Sequence, residues 1–366
     1  MVAVKSYTRT RHQPRIAGAL LSFAVAGCGT PPPIRSITCA DAAKPVITTH
    51  ASEGMATTLK VLTYNIEGLA WPARTGRASQ LAEIGKRISQ MRASESGPDI
   101  ILFQEMFSGP AKSAVAATGY PALVSGPRRT TRAVKSASGP LPGRRSIRRG
   151  EIGIRYTGGG LAIASRFPVI NVAKRAYGSK ACAGIDCLAN KGILLARIAI
   201  PGVPTPIDIY NTHLNSQRAS RVAVERHLAA HSRQALVASE FIDATHDDTM
   251  PVIFGGDFNM RHSEARWENF TRYQSLSLAH QVCANPASGC DVRMSWDGDE
   301  PWMDTQDLQF FWSGKTVSIR PIRVEAVFDG GPSGPQLSDH DGFMVTYQLR
   351  WPATSAAPGR CGSGSG

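Results

Sequence analysis

The sequence of 366 residues predicts an α+β fold in which short buried strands are mixed with a few longer helices. Short apolar runs recur along the chain and are bounded by glycine or polar residues, as buried strands are. Two longer segments instead repeat apolar residues every three or four positions, which is the spacing of an amphipathic helix. Strands and helices mixed in this way, with hairpin-length spacing in places, are typical of layered α+β or α/β domains.

The first ordered elements are predicted between residues 59 and 105. A strand at residues 59–65 delivers Asn65 at its end. The helix that follows has an apolar stripe made of Leu81, Ile84, Ile88 and Met91. Gly97-Pro98 ends this helix, and a buried strand at residues 99–105 then ends in the carboxylate of Glu105.

The later elements continue the same mixture. The glycines at 158–160 lead into a strand, so they indicate a tight β connection and not a phosphate-binding helix N-terminus. Further strands are expected at residues 193–200, 207–210, 306–311 and 343–349. A long helix is expected at residues 220–244, with an apolar stripe made of Val224, Leu228, Ala235 and Ile242. Residues 251–254 predict a buried strand that Gly255 and Gly256 end, with Asp257 and Asn259 just past the turn.

The composition is that of a globular protein with a sizeable core, since 42% of residues are hydrophobic and 19% are charged. The net charge of +13 is unusual but local. Residues 1–27 contain four basic residues and residues 128–149 contain eight, and neither segment contains an acidic residue. Without these two segments the remaining basic residues nearly balance the 28 acidic ones, so the folded body is almost neutral.

The N-terminus has the features of a secretory signal. Its basic residues precede an apolar run at 16–26 that is too short to cross a bilayer as a helix. The run ends in Val25-Ala26-Gly27-Cys28, which resembles the lipobox of bacterial lipoproteins, where the cysteine is acylated and becomes the first mature residue. This implies an exported protein, anchored through acylated Cys28 to a bacterial membrane and facing the periplasm or the cell surface. The alternative is a plain signal peptide with an incidental cysteine.

These features divide the chain into four parts. Residues 1–27 form the lipoprotein signal peptide, and residues 28–57, rich in Pro, Thr, Ala and Ser, predict a lipidated tether. The globular domain is expected at residues 58–350, and a flexible tail at residues 351–366.

The basic segment at 128–149 also contains glycine, proline and serine, which predicts a mobile loop. Because no acidic residue interrupts its bases, we interpret it as an arm for anionic phosphates on nucleic acid or on a lipid surface. The alternative is a solvated insertion that keeps the protein soluble.

The cysteines indicate disulfides. Apart from Cys28 there are six, an even number, which suggests disulfides in an exported protein. Cys182 with Cys187, and Cys283 with Cys290, would each close a short loop and leave Cys39 and Cys361 to join the termini, although the sequence does not determine this pairing. A zinc site is the alternative, but no Cys-x-x-Cys pair or neighbouring histidine supports it.

Polar side chains follow most of the predicted strands. They are Asn65, Glu105, His213, Asp257, Asn259, Asp339 and His340. Each one alone is explained by a turn or a satisfied polar residue, but neighbouring strands would bring the whole set into one cleft. Oxygen ligands without cysteine suit a hard cation such as Mg²⁺, and two histidines suit general acid–base chemistry.

Five motifs in this order resemble the endonuclease/exonuclease/phosphatase family, which includes deoxyribonuclease I and bacterial neutral sphingomyelinases. They are Thr63-Tyr64-Asn65, Gln104-Glu105, Thr212-His213-Leu214, Gly256-Asp257-Phe258-Asn259 and Ser338-Asp339-His340. The resemblance covers about residues 58–350. It implies a deoxyribonuclease I-like α/β sandwich, in which two packed β-sheets are flanked by helices and the catalytic cleft lies at one edge.

The resemblance also implies a metal site. Glu105 would be the principal ligand, and Asn65 would be its ligating or hydrogen-bonding neighbour. Asp339 would bind metal or position the phosphate. The cation implied is Mg²⁺, with Mn²⁺ as the other possibility.

The same resemblance implies the catalytic residues. His340 would be the general base that takes a proton from the attacking water, and Asp307 would orient that histidine. Asp257, Asn259 and His213 would hold the scissile phosphate and stabilise its added negative charge.

The expected function is therefore metal-dependent hydrolysis of a phosphodiester by histidine-activated water. We place a phospholipid substrate first, because Gln104-Glu105-Met106-Phe107 is similar to the Gln-Glu-Val-Phe of sphingomyelinases and a lipid anchor would hold the enzyme near head groups. The alternatives are a Mg²⁺-dependent endonuclease acting on DNA or RNA and, more remotely, a catalytically silent surface protein that uses the fold for binding. No protein partner is implied.

Overall fold

The computed structural model describes residues 34–50, 54–69, 73–94, 96–133, 139–295, 300–331 and 334–355. The predicted signal peptide, Cys28 and nearly all of the predicted tail lie outside these residues, so those predictions remain predictions. In the described part of the chain, no helix has both the length and the apolarity needed to span a bilayer.

Two β-sheets form the centre of the structure. The larger has eight strands in the order β11-β13-β14-β2-β3-β5-β4, with β1 also paired to β2, and the smaller has six in the order β10-β12-β9-β8-β7-β6. The strands are β1 (Thr48–His50), β2 (Gly54–Asn65), β3 (Ile100–Gln104), β4 (Ala122–Ser125), β5 (Ala162–Ser165), β6 (Val169–Ala176), β7 (Gly192–Ile198), β8 (Ile207–His213), β9 (Val252–Asp257), β10 (Ser277–Leu278), β11 (Asp291–Arg293), β12 (Asp307–Trp312), β13 (Ser318–Val327) and β14 (Gly342–Trp351). The helices are α1 (Ala78–Ala93), α2 (Gly109–Ala117), α3 (Val224–Thr245), α4 (Glu264–Thr271) and α5 (Ala279–Ala284).

The two sheets pack face to face through their apolar residues, as in a sandwich. Successive side chains of β2 alternate between its faces, so Leu59 and Val61 join the cluster between the sheets while Leu62 and Tyr64 point outward under α1 and α2. The outer face of the smaller sheet is covered by α3 and α4 through a third cluster that contains Phe254. The predicted α/β sandwich, two packed sheets flanked by helices, is confirmed.

Most of the predicted elements occur where they were expected. The stripe predicted for the first helix is buried in α1, where Leu81, Ile84 and Ile88 are each at most 1% exposed. The glycines at 158–160 lead into β5. The strand predicted at 251–254 also occurs, but Gly255 and Gly256 do not end it, because β9 continues through both glycines to Asp257 and pairs with a strand on each side. Strands β4, β6, β10, β11 and β13 and helices α2, α4 and α5 were not predicted, because their apolar runs are short or weakly periodic.

Two expectations differ from the structure. The ordered domain begins before residue 58, because β1 pairs with the start of β2 and Thr57 Oγ1 donates to the carbonyl of Val46 at 2.8 Å. Threonine-rich composition indicated a tether, but threonine also favours strands. In the long helix, Val224 is 67% exposed at the first turn, and α3 buries polar side chains such as His231 and Gln234 beside Ala235 and Ile242.

The disulfide prediction is confirmed for the two short loops. Cys182 is bonded to Cys187 and Cys283 to Cys290. Cys361 lies outside the described residues, so the expected pairing with Cys39 stays a prediction.

The register of the strands brings the polar strand ends to one edge of the sandwich. In the larger sheet, parallel pairing of β2 and β3 sets Asn65 opposite Gln104, the residue before Glu105. In the smaller sheet, Asp257 pairs with His213 on one side and with Asp307 on the other. The loop that carries Asp339 and His340 ends at Gly342, where β14 begins.

Candidate functional site

The backbone is unusual where the site residues leave their strands. Glu105 and Asn259 both have positive φ angles, 59° and 52°, which side-chain-bearing residues seldom adopt. Gly256 has a φ of 151°, and a Cβ there would lie 2.2 Å from the carbonyl oxygen of Thr212 on the neighbouring strand. Backbone of this kind is often found at active sites, where it aims a side chain that an ordinary strand end would point elsewhere.

His340 is held by Asp307. The Nδ1 atom of His340 lies 2.5 Å from Oδ2 of Asp307, which is a short charge-assisted contact. Burial by itself would lower the pKa of His340, but the carboxylates of Asp307, Asp257 and Asp339 outweigh it and hold the pKa well above its ordinary range. Its Nε2 atom is directed into the cleft, 3.9 Å from Oδ2 of Asp257. A histidine oriented at one nitrogen by a carboxylate is arranged to exchange a proton at the other.

Asp257 is the hub of the site, and both of its carboxylate oxygens are engaged. Oδ1 accepts hydrogen bonds from the backbone N–H and the Nδ2 of Asn259, at 3.0 and 2.9 Å. Oδ2 accepts one from Nδ2 of Asn65 at 2.9 Å and lies 3.3 Å from Nε2 of His213. Asp257 therefore ties the two sheets together at the bottom of the cleft.

Glu105 completes a cluster that can hold a cation. Ligand atoms of Glu105, His213 and Asp257 all lie within 4.8 Å of one another. Burial, reinforced by the nearby Asp257 carboxylate, raises the pKa of Glu105 to about 7, and burial raises the pKa of Asp257 as well. Two carboxylates this close, one half-buried and one buried, repel each other, and a divalent cation between them would remove that repulsion. The oxygen-rich donor set, with the Asn65 amide beside it, fits Mg²⁺ or Mn²⁺.

His213 is held by Lys191, a residue the sequence did not single out. The ammonium of Lys191 lies 3.0 Å from Nε2 of His213, donates to the carbonyl of Leu214 at 2.9 Å and forms an ion pair with Asp186. Burial and then the Lys191 charge lower the pKa of His213 well below its ordinary value, so its ring is neutral. Because an ammonium can only donate, we infer that Nε2 of His213 accepts and that Nδ1 carries the hydrogen. Nδ1 is buried and has no hydrogen-bond partner among the described residues.

Hydrogen bonds fix the loop before β14 in place. Ser338 Oγ donates to the carbonyl of Asn65 at 2.7 Å and accepts from the backbone N–H of His340 at 3.3 Å. Asp339 is exposed, and its backbone N–H donates to Glu67 at 3.2 Å. Asp339 is near enough to act on the charge of His340, but it lies outside the three-residue cluster around Glu105. Its predicted role as a metal or phosphate ligand therefore stays a prediction.

Residues 62–340, which contain this cleft, match the sequence pattern of the Endonuclease/Exonuclease/phosphatase family. The match covers more than half of the chain. This chain belongs to the endonuclease/exonuclease/phosphatase family. Among curated proteins, no sequence matches it significantly.

Solved structures show the same family fold. Sphingomyelinase C from Streptomyces griseocarneus is 19% identical, with 79% of this chain and 99% of that chain covered and a TM-score of 0.56. A beta toxin double mutant from Staphylococcus aureus with bound magnesium ions is 17% identical, with coverage of 79% and 99% and a TM-score of 0.53. A humanized D. rerio TDP2 is 18% identical, with coverage of 79% and 98% and a TM-score of 0.52. At these identities the likeness establishes the fold alone.

Seven of the eight predicted site residues of this family member meet in one cleft, and Asp339 stands at its rim. The prediction missed Lys191 and Asp186, because Lys191 precedes a strand and Asp186 lies in a short 3₁₀ turn, Gly184–Leu188. Neither residue directly follows an apolar strand, so the sequence pattern gave no sign of either. The arrangement offers a histidine base oriented by a carboxylate, a neutral histidine and a cation site around one point, which suits attack of water on a phosphate.

Proposed function

We propose that this chain is a divalent-metal-dependent phosphodiesterase that hydrolyses a phospholipid through water activated by His340. The observation that carries the proposal is the 2.5 Å contact of His340 Nδ1 with Asp307, with Nε2 directed toward the cluster of Glu105 and Asp257. A base, its orienting carboxylate and a cation site thus face one another across the cleft.

The residues have distinct tasks in this proposal. In its neutral form, His340 takes a proton from the attacking water at Nε2, and Asp307 holds the ring and stabilises the positive form that results. Nδ1 of His213 would donate to a phosphate oxygen as negative charge grows on it. Asn259 would act by holding Asp257, because its Nδ2 donates to Oδ1 of Asp257 and to the carbonyl of Leu214. Lys191 keeps His213 in the tautomer that can donate.

Glu105 and Asp257 would hold the cation, with Asn65 as a neighbouring ligand or hydrogen-bond partner. A bound Mg²⁺ or Mn²⁺ would act as a Lewis acid on the phosphate, a contribution of several kcal/mol.

A phospholipid substrate is supported by the sequence around the site and by the predicted anchor. Acylation of Cys28 would keep the enzyme beside head groups and raise their effective concentration. Exposed arginines at 128–149 support the second candidate, a nuclease, because they are able to track phosphates. One solved structure with this fold is of D. rerio TDP2 complexed with single-strand DNA product, with a TM-score of 0.52.

A substrate panel separates the two candidates. The protein is assayed with Mg²⁺ on sphingomyelin and phosphatidylcholine vesicles, plasmid DNA, RNA and inositol phosphates, with His340→Ala as the catalytic control. The proposal predicts turnover of at least one phospholipid that requires His340 and stops on chelation. Turnover of nucleic acid alone would favour the nuclease over the phospholipid hydrolase. Turnover without metal would reject the proposed metal dependence. No turnover of any diester, with the protein folded and metal present, would favour a binding protein.

We also propose that the mature protein is exported and lipid-anchored through Cys28. The support is the Val25-Ala26-Gly27-Cys28 sequence after a basic and then apolar N-terminus.

A further inference from the structure

An exposed surface rich in arginine and large apolar side chains is connected to the candidate site through residues 184–191. Within the described residues, ten large apolar side chains are exposed, and four of them fall here. They are Ile147 at 65%, Ile154 at 58%, Tyr156 at 63% and Ile185 at 37% exposure. Single exposed apolar residues are normal on a soluble protein, whereas a concentration of them in neighbouring segments marks an interaction surface.

The arginines between these apolar residues have no acidic side chain paired with them among the described residues. Arg144, Arg148 and Arg149 are exposed, and none of them forms an ion pair with any described residue. Glu151 is the single acidic residue between positions 139 and 158, and it is buried and paired with Arg226 at 2.7 Å. We call Arg144, Ile147, Arg148, Arg149, Ile154 and Tyr156 the basic-apolar surface.

Buried hydrogen bonds hold this surface in place. Nη1 of Arg226, on α3, donates to the carbonyls of Leu141, Pro142 and Gly143 at 3.2, 2.8 and 3.2 Å. Glu151 accepts a hydrogen bond from the backbone N–H of Gly184 at 2.9 Å. These hydrogen bonds fix the backbone of the segment to the body of the protein, while its large apolar side chains are exposed.

Further contacts connect the surface to the site. The backbone N–H of Tyr156 donates to the carbonyl of Leu188 at 2.7 Å, and a Cβ on Gly150 would lie 3.0 Å from Cα of Ile185. Gly184, Ile185 and Leu188 belong to one loop, residues 184–191, whose last residue is the Lys191 that holds His213. A partner bound to the surface therefore lies one short loop away from the cleft.

We propose that the basic-apolar surface docks on a bilayer that contains anionic phospholipids. Arginines near an anionic head-group layer are attracted to it, and isoleucine and tyrosine side chains between them bury their apolar parts at the interface. A nucleic acid would use the arginines and stack on an aromatic side chain, but it gives the exposed isoleucines no role. The proposal deepens the phospholipid-hydrolase function and rests on it for its purpose.

Vesicle binding tests the proposal without requiring turnover. The full chain carrying Cys28→Ala, which removes the predicted acyl anchor, is sedimented in chelator with phosphatidylcholine vesicles and with vesicles that contain one-third phosphatidylglycerol.

Three variants of this parent are compared. The first is Arg144→Gln/Arg148→Gln/Arg149→Gln, and the second is Ile147→Ser/Ile154→Ser/Tyr156→Ser. The third, a matched charge control on other faces, is Arg272→Gln/Lys315→Gln/Arg320→Gln. Arg145 is kept, because its Nε donates to the carbonyl of Glu151.

We expect the parent to prefer the anionic vesicles. Each arginine contributes roughly fivefold, so the triple arginine variant loses about 100-fold in affinity for anionic vesicles. The apolar variant loses about tenfold or more on both kinds of vesicle, since it gives up buried apolar area. The control variant keeps most of the parent affinity. Thermal melts verify that every variant is folded.

Two results would overturn the proposal. One is that both surface variants bind vesicles like the parent or like the control. The other is that the arginine variant loses affinity for duplex DNA while vesicle binding is unchanged, which would assign the surface to nucleic acid. Hydrolysis of a soluble phosphodiester by the parent is measured separately. Vesicle binding without hydrolysis would refute the proposed function and keep the docking surface, and hydrolysis without surface-dependent binding would do the reverse.

Discussion

Replacing Asp307 with asparagine tests how His340 works. The substitution preserves shape but removes the charge that faces Nδ1 of His340 at 2.5 Å. Oδ1 of Asp307 is buried without a hydrogen-bond partner among the described residues, so the new amide group has two ways to sit. It can turn its oxygen toward His340 and bury an unpaired NH₂, or it can turn its NH₂ toward His340.

Both orientations reduce catalysis. A hydrogen bond to a charged group contributes about 1.5–3 kcal/mol, so its weakening costs roughly 10- to 100-fold in kcat. If the NH₂ faces Nδ1, then Nδ1 must accept, Nε2 carries the hydrogen and His340 is unable to take a proton from water. The corresponding change in a serine-protease triad lowers kcat by about 10⁴. We therefore expect kcat to fall by roughly 10²- to 10⁴-fold, with a small change in KM.

The assay is steady-state hydrolysis of a soluble phosphodiester at saturating Mg²⁺, with a thermal melt of each protein. Asp304→Asn is the matched control, because it removes the same charge three residues earlier at a position whose side chain is 42% exposed. Asp307→Asn should melt close to the parent, and Asp304→Asn should keep the parent activity. A kcat for Asp307→Asn within threefold of the parent would refute the role given to the His340–Asp307 pair.

Three further predictions follow from the site and the N-terminus. Glu105→Gln should keep the fold but lower activity by orders of magnitude and weaken Mg²⁺ binding in calorimetry, and full activity would show that Glu105 is not the ligand. Lys191→Met should lower kcat about 10- to 100-fold and destabilise the fold by removing the ion-pair partner of Asp186, whereas adding Asp186→Asn should restore the melting temperature and not the activity. If the double variant regains activity, Lys191 acts only through stability. Cys28→Ala should move the protein from the detergent phase to the aqueous phase, and mass spectrometry that finds an unmodified mature terminus elsewhere would rule out the anchor.

The site was largely predictable because strand periodicity and strand register are linked. A polar residue directly after an apolar strand is recognised in the sequence, and the carboxyl ends of adjacent parallel strands meet at one edge. Asn65, Glu105, His213 and Asp257 all follow this rule. The periodicity did not say which strands are adjacent, and the family resemblance implied only that the cleft lies at one edge of the sandwich.

What the sequence did not reveal depends on contacts between distant segments. Lys191 sits before a strand, where local pattern gives no sign that its ammonium reaches His213. The buried polar side of α3 was also unexpected, because Nε2 of His231 finds its partner, the carbonyl of Phe258 at 2.9 Å, across the fold. The hairpin of β1 and β2 was taken for part of a tether because threonine is common both in linkers and in strands.

The most direct test of the central claim is the fate of the water oxygen. A phosphodiester is hydrolysed in ¹⁸O-labelled water with Mg²⁺, and the phosphorus-containing product is analysed by mass spectrometry. Attack of His340-activated water on phosphorus predicts one labelled oxygen in that product for each turnover, and His340→Ala should abolish both label and turnover. Label found in the alcohol product, or undiminished labelling in His340→Ala, would contradict the account.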